Sequence, residues 1–244
     1  MNGGAVISNP ETNEKLAAGS YFTRPKVSFL NPELTYTINK FQTASGCADI
    51  LSHLFEIYFN KDGSMYMLDR LMESLMKTVI HYGPIAIEDP NNYDARANLM
   101  WASSWAINGF LAASSQAQWS NHPMEHELSA FYDITHGLGL AILTPRWLEY
   151  ILDGQTAVKI SDLGVNLFNL DKGMDKMDLA RATIEKISDF FFNKLGLEDS
   201  LSKIGIDEEN FDTMSKKACG NKGVIEGFVD LRPNDMKKIY EMSL

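Results

Sequence analysis

Residues 97–124 read Ala97-Asn-Leu-Met-Trp-Ala-Ser-Ser-Trp-Ala-Ile-Asn-Gly-Phe-Leu-Ala-Ala-Ser-Ser-Gln-Ala-Gln-Trp-Ser-Asn-His-Pro-Met124, a stretch without a formal charge. It is long enough to span a bilayer, for which about 20 apolar residues suffice. Asn98, Ser103, Ser104, Asn108, Ser114, Ser115, Gln116 and Gln118 nevertheless fall on every face, and His122-Pro123 lies near its end. The stretch is therefore expected to be a helix enclosed by other helices. Its Ala, Ser and Gly residues permit close backbone approach, and the missing charge reflects burial. On that reading the chain is mainly α and carries no membrane span.

Upstream, Ala5-Val6-Ile7-Ser8 and Lys15-Leu16-Ala17-Ala18 flank a turn-rich Asn9-Pro10-Glu11-Thr12-Asn13-Glu14, which reads as a short hairpin. A further apolar run, Val27 to Leu30, stops at Asn31-Pro32. Two or three short strands do not make a stable sheet, so a partner layer is expected. From about Asn39 the period turns helical, and Leu68, Leu71, Met72, Leu75, Met76 and Val79 keep the i, i+3, i+4 rule. Asp94 is expected to N-cap the uncharged helix. Helices are expected over Leu138 to Tyr150 and Leu179 to Leu195, the latter ending at Gly196. Shorter ones are expected near Glu208 to Ala218 and Asn234 to Met242.

The 244 residues carry 22 Lys plus Arg against 32 Asp plus Glu, a formal charge of −10, which argues against a phosphate-tracking nucleic-acid binder. Two cysteines, Cys47 and Cys219, make neither a disulfide framework nor a Cys-rich zinc site and suit a reducing compartment. No basic flank precedes an apolar leader in residues 1–30, so a cytoplasmic location is expected.

The chemistry gathers at histidine. Of five in the chain, His122, His126 and His136 fall within fifteen positions, and His53 follows Asp49 by four. On a helix, residues at i and i+4 share a face, so Asp49 and His53 can grip one ion. Histidine with carboxylate is a common ligand mix for zinc or ferrous iron. Taken singly, each of these histidines reads as a solvated or hydrogen-bonded ring. Together, beside a buried uncharged helix, they are most simply satisfied by a shared cation. A continuous helix would hold His122 and His136 about 21 Å apart, so the chain must break between them. Pro123 suits a first helical position with His122 at its entrance, and Asp133 to Gly137 supplies the break, Thr135 or Asp133 capping the next helix. His122-Pro-Met-Glu125-His126 also has the letters of an inverted zinc-peptidase pattern, with Glu125 as base. Pro123 sits awkwardly in that motif, which leaves Asp49, His53 and His136 without a role.

Asp49-x-x-x-His53, the run Asn98-Leu-Met-Trp-Ala-Ser103 and His122-Pro-Met-Glu-His-Glu-Leu-Ser-Ala-Phe-Tyr-Asp-Ile-Thr-His-Gly-Leu-Gly-Leu-Ala-Ile142 closely resemble the iron-containing (group III) alcohol dehydrogenases. Within that family the NAD(P)H-dependent butanol dehydrogenases are most similar, from the first residues to about Leu195 and more loosely beyond. The resemblance implies a dehydroquinate-synthase-like fold, with residues 1–32 as remnant strands of a dinucleotide-binding domain and 33–244 as an all-helical metal-binding catalytic domain. It implies iron or zinc held by Asp49, His53, His122 and His136. His126 would stand near nicotinamide and substrate as a catalytic and cofactor-facing residue, and Lys15 and Gln42 would line the NAD(H) or NADP(H) cleft. Hydride transfer to or from a short-chain alcohol or aldehyde, such as butanol or butanal, follows, as does a homodimer.

Family members open with a domain bearing a Gly-Gly-Gly-Ser phosphate loop, and neither that nor a Gly-x-Gly-x-x-Gly occurs in these residues. The chain is therefore expected to be a C-terminal part that binds metal but has little dehydrogenase activity alone. A metal-binding helical domain without catalysis, or a subunit completed by another chain, is the alternative. Of the remaining features, His81 is expected to cap the C-terminus of its helix, Cys47 to be a small buried residue, and Met65 to Met76 to be core. Phe131, Trp119 and Met124 are expected to pack in the core or line an alkyl pocket, and the acidic, lysine-bearing tail to be a solvated surface.

Overall fold

Asn39 starts the helical part: in extended conformation, its side chain accepts the Gln42 N–H at 2.8 Å, and α1 runs from Lys40 to Tyr58. The computed structural model describes residues 2–61, 65–112 and 119–244. Twelve of the nineteen residues of α1 are buried, which makes it the axis of the molecule. Around it pack α2 (Tyr66–Glu88), α3 (Tyr93–Ile107) and α5 (His136–Tyr150). Helices α4 (Asn121–Tyr132), α6 (Thr156–Phe168), α7 (Lys176–Asp189), α8 (Phe211–Cys219) and α9 (Pro233–Met242) complete the order. The core centres on Phe55, Tyr58, Phe59, Trp147, Phe191, Phe211 and Tyr240. Helices dominate this fold, as expected, and no helix among the described residues is long and apolar enough to cross a membrane.

The hairpin forms from β1 (Gly4–Asn9) and β2 (Glu14–Gly19), antiparallel with Ser8 opposite Lys15. Val27 to Leu30 is not a strand. It pairs with nothing among the described residues, leaves Val27 71% and Phe29 93% exposed, and runs into a 3₁₀ turn capped by Asn31. The N-cap of α3 is Asn92, whose side chain accepts the Ala95 N–H at 3.0 Å; Asp94 lies inside the first turn instead.

The uncharged run is also not one helix. Helix α3 stops at Ile107 because Gly109 turns to φ +90°, and α4 begins afresh at Asn121. Nor is α3 enclosed all round, since Trp101 is 52% exposed. Residues Ser114, Ser115, Gln116 and Gln118 lie outside the described residues.

Helix α2 continues past Val79 through Pro84, so His81 is an interior, outward-facing residue rather than a cap. Gly83 permits that continuation against α1, since a Cβ there would stand 3.1 Å from Cys47 Sγ. Within the Met65 to Met76 run, Met72 and Met76 are core but Met67 is exposed. Helix α7 passes into a π turn, Phe190–Lys194, and the chain leaves it at Gly196, φ +72°. The tail is only half solvated. Phe211 and Tyr240 stack in the core, and the Tyr240 hydroxyl donates to the Met124 carbonyl at 2.7 Å, docking α9 on α4.

Candidate metal centre

Three helices bring the chemistry together. Along α1, Asp49, His53 and Glu56 stand at i, i+4 and i+7, one stripe on one face. Helix α4 offers His122, Glu125 and His126, and α5 opens with His136. The corner between α4 and α5 is made by Asp133, which takes a left-handed φ of +51° and ends α4, while Thr135 stands at the N-cap of α5. The break expected between the two histidines is there, although Thr135 caps with its backbone and not its side chain. Pro123 is the third residue of α4 rather than the first, so His122 lies within the opening turn.

Gly137 lets α5 arrive this close, since a Cβ would collide with the Ser45 carbonyl of α1. Gly139, one turn after His136, clears room for Glu125, whose Cγ would be 2.8 Å from a Cβ.

The donors of Asp49, His122 and His136 fall within 4.8 Å of one another. Asp49 Oδ1 is the hub: His53 Nε2 lies 3.3 Å from it, His136 Nε2 3.7 Å and His122 Nε2 3.8 Å. Donors about 2.0–2.1 Å from one tetrahedral metal stand roughly 3.4 Å apart, so the spacing fits a single small cation. Asp49 Oδ1 and His122 Nε2 are buried and have no hydrogen-bond partner among the described residues, a costly state unless a ligand completes them. Trp119 packs edge-on against His53 and His122, with ring centroids at 5.2 and 4.7 Å. Met124 is core, and Phe131 lies under the Lys217 ammonium.

Behind two of the imidazoles stand carboxylates that the spacing argument left out. Glu56, 2% exposed, meets His122 Nδ1; Glu125, fully buried, meets His136 Nδ1. Carboxylates in this position orient metal-binding histidines and fix their tautomer. The i, i+4, i+7 stripe was the available signal for Glu56. Glu125 also accepts from the Ser129 hydroxyl and from Lys15 Nζ at 3.3 Å. Buried and held by Ser129, Lys15 and His136, it stands as a partner of His136 rather than as the base of the peptidase reading.

Lys15 of β2 thus reaches the centre, its Nζ 3.3 Å from His136 Nδ1. The His126 ring lies 5.5 Å from that of His136 and belongs to a second donor group with Glu125 and His136. Gln42 is not drawn in; it is exposed two turns before Asp49 and lines a separate cleft beside Arg96 and Cys47.

Charge within the cluster is set by burial and by opposed neighbours. Burial, then the His122 charge, pushes His53 down to about 4. Burial, then the Lys15 ammonium, takes His126 to about 3, so its ring is neutral. For His122 burial acts downward but is outweighed by Glu56 and Asp49, which lift it to about 9. Burial raises Asp49, yet the facing His122 ring and the other surrounding imidazoles hold its carboxyl below the usual range.

A helical unit with one carboxylate and three imidazoles where three helices meet defines a class of site, and the chain around it is similar to known proteins. Residues 43–244 match the C-terminal model of the Fe-containing alcohol dehydrogenase family. The NADH-dependent butanol dehydrogenase B of Clostridium acetobutylicum is 49% identical over 242 residues, 99% of this chain and 62% of that protein. The NADPH-dependent aldehyde reductase YqhD of Escherichia coli is 35% identical over 88% of this chain and 55% of its own length. The solved structure of the NADH-dependent butanol dehydrogenase A from Thermotoga maritima superposes with a TM-score of 0.90 at 32% identity, covering 100% of this chain and 62% of that one. This chain belongs to the iron-containing alcohol dehydrogenase family and has its dehydroquinate-synthase-like helical fold. It spans 62% and 60% of the length of the two Clostridium butanol dehydrogenases it matches.

Proposed function

We propose that the whole protein interconverts short-chain alcohols and aldehydes, such as butanol and butanal, with NAD(P)H, and that residues 33–244 furnish its metal-binding catalytic domain. The observation that carries this is the array of three imidazoles around the unbonded, buried Asp49 Oδ1 at 3.3 to 3.8 Å. Asp49, His53, His122 and His136 would hold zinc or ferrous iron, since one carboxylate and three imidazoles suit both. When bound, the metal supplies Lewis-acid polarisation of the substrate oxygen and the nicotinamide carries the hydride.

The chain's own residues do the rest. His126, neutral and beside His136, orients the substrate oxygen by hydrogen bonding. Trp119 shields the His53 and His122 side of the cluster from water. Lys15, tied to Glu125, anchors the hairpin against the metal-binding helices and would face the cofactor from there, while Gln42 would do so from its own cleft beside Arg96. NADH is favoured over NADPH by the names of the relatives that cover nearly all of this chain.

The test is elemental analysis of anaerobically purified protein, wild type beside Asp49→Ala and His122→Ala, with butanal-dependent NADH oxidation followed in the full-length protein. About one iron or zinc per chain, lost in both variants together with turnover, is expected. Metal retained by Asp49→Ala, or turnover unchanged in either variant, would overturn the assignment.

A further inference from the structure

The opening turn of an α-helix leaves its first four N–H groups without intrahelical partners, and a side chain at the N-cap ordinarily takes one or two of them. Helix α4 does otherwise. The Ser120 side chain at its N-cap makes no capping bond. Instead the Glu56 carboxylate, reaching over from α1, accepts the N–H of Ser120 at 2.6 Å, that of Asn121, and that of His122 at 3.4 Å to each oxygen. The fourth position is Pro123, which has no N–H. One buried carboxylate, with one proline, thus accounts for the whole N-terminus of α4.

That same carboxylate meets His122 Nδ1. An ionised carboxylate only accepts, so in the neutral ring, the form that binds a metal, Nδ1 must carry the proton and Nε2 is left with its lone pair. Nε2 is the buried, unpartnered atom that faces Asp49 Oδ1 at 3.8 Å. We infer that Glu56 is a positioning residue: it welds the first turn of α4 to α1 and selects the His122 tautomer that offers Nε2 to the metal. The inference rests on the metal reading of the cluster given above.

Replacing Glu56 by Gln keeps size and removes the rule. If the amide oxygen stays on the backbone N–H groups, the amide nitrogen donates to Nδ1 and drives the proton to Nε2. If the amide is turned round, its N–H groups oppose the amides of α4. The first arrangement withdraws His122 as a ligand; the second keeps the tautomer but sets N–H against N–H at the first turn of α4, which makes the first the favoured one. Loss of such a carboxylate partner typically costs about 10- to 100-fold in metal affinity.

The experiment uses the 244-residue chain, wild type and Glu56→Gln, with zinc alone as probe in competition with a chromophoric chelator. Long-range nitrogen–proton spectra of histidine-labelled, zinc-free protein, recorded at about pH 10 where the His122 ring is neutral, report which ring nitrogen carries the proton, His122 being assigned from its loss in His122→Ala. Expected are Nδ1 protonation in wild type, Nε2 protonation in the variant, and zinc bound about 10- to 100-fold more weakly while the zinc-free melting temperature moves by only a few degrees. Equal zinc affinity in the two proteins, or Nε2 protonation of wild-type His122, would overturn the inference. Should the variant fail to fold, the wild-type spectrum alone decides it. A wild type that takes up no zinc would overturn the metal reading itself, a separate and recognisable result.

Discussion

Two glycines of similar appearance in the sequence do opposite things. Gly137 stands beside His136, and any Cβ there runs into the Ser45 carbonyl of α1. Backbone, unlike a long side chain, has little room to yield, so Gly137→Ala is expected to destabilise the fold by about 2–3 kcal/mol, as overpacking does. It should also weaken metal binding, because the shift falls on the first turn of α5, where His136 sits. Gly46 lies within α1, and a methyl group added there would meet nothing within 4 Å. Alanine at this position is expected to stabilise by about 0.5–1 kcal/mol through helix propensity alone. Urea unfolding of the two variants checks both signs; a neutral Gly137→Ala would mean that α5 does not depend on this close approach.

Elements show where the sequence was readable. Apolar spacing located α2 and α7, since each buries one face and leaves the other wet, whereas α1 and α5 are enclosed nearly all round and were marked by their apolar content. It did not find α6, nor the end of α3. In an uncharged run nothing in the composition separates helix from connection, and only Asn108-Gly109 marks the stop. The Asp49-His53 pair and the cluster from His122 to His136 were legible because helical geometry is local. Glu125 was weighed only as a catalytic base, since its partners lie in other elements and only packing shows that it is occupied.

The docking of α9 is equally invisible in the sequence and carries its own prediction. At the end of α5 the Tyr150 hydroxyl donates to Asp235 Oδ1 at 2.7 Å, and Asp235 Oδ2 accepts the Arg232 N–H that opens α9. That bond, followed by burial and the Asp235 charge, raises the Tyr150 phenol to about 12. A folded-state value above the ordinary one near 10 means the contribution is complete below pH 10 and fades as pH climbs through 12. Tyr150→Phe is therefore expected to cost about 1 kcal/mol at pH 8 and progressively less above pH 10. A penalty that stays constant from pH 8 to pH 11.5 in urea titrations would show that the bond is not its source.

At the scale of the whole molecule, the cluster is a tie between segments far apart in the chain. Asp49 and His53 belong to α1, His122 to α4 and His136 to α5, while Lys15 brings in the hairpin through Glu125. An unfolded chain cannot hold these donors together, so a cation that binds them binds the folded state and adds to its stability by mass action. At free zinc about 100 times the dissociation constant the gain is about 2.7 kcal/mol. For a chain of this size that corresponds to roughly 5–10 °C in melting temperature. Chelator-treated protein should therefore melt lower by that amount and recover on adding zinc. Asp49→Ala should melt at the same temperature with and without the metal, because the hub oxygen is gone. The hairpin adds a further reading: when Lys15 is replaced by Met, the chelated protein should change little, but the zinc-dependent increment should shrink, since Glu125 then loses one of the groups that hold it against His136. An increment unchanged in Lys15→Met would separate the hairpin from the metal centre and leave the three helices as the whole of the tie.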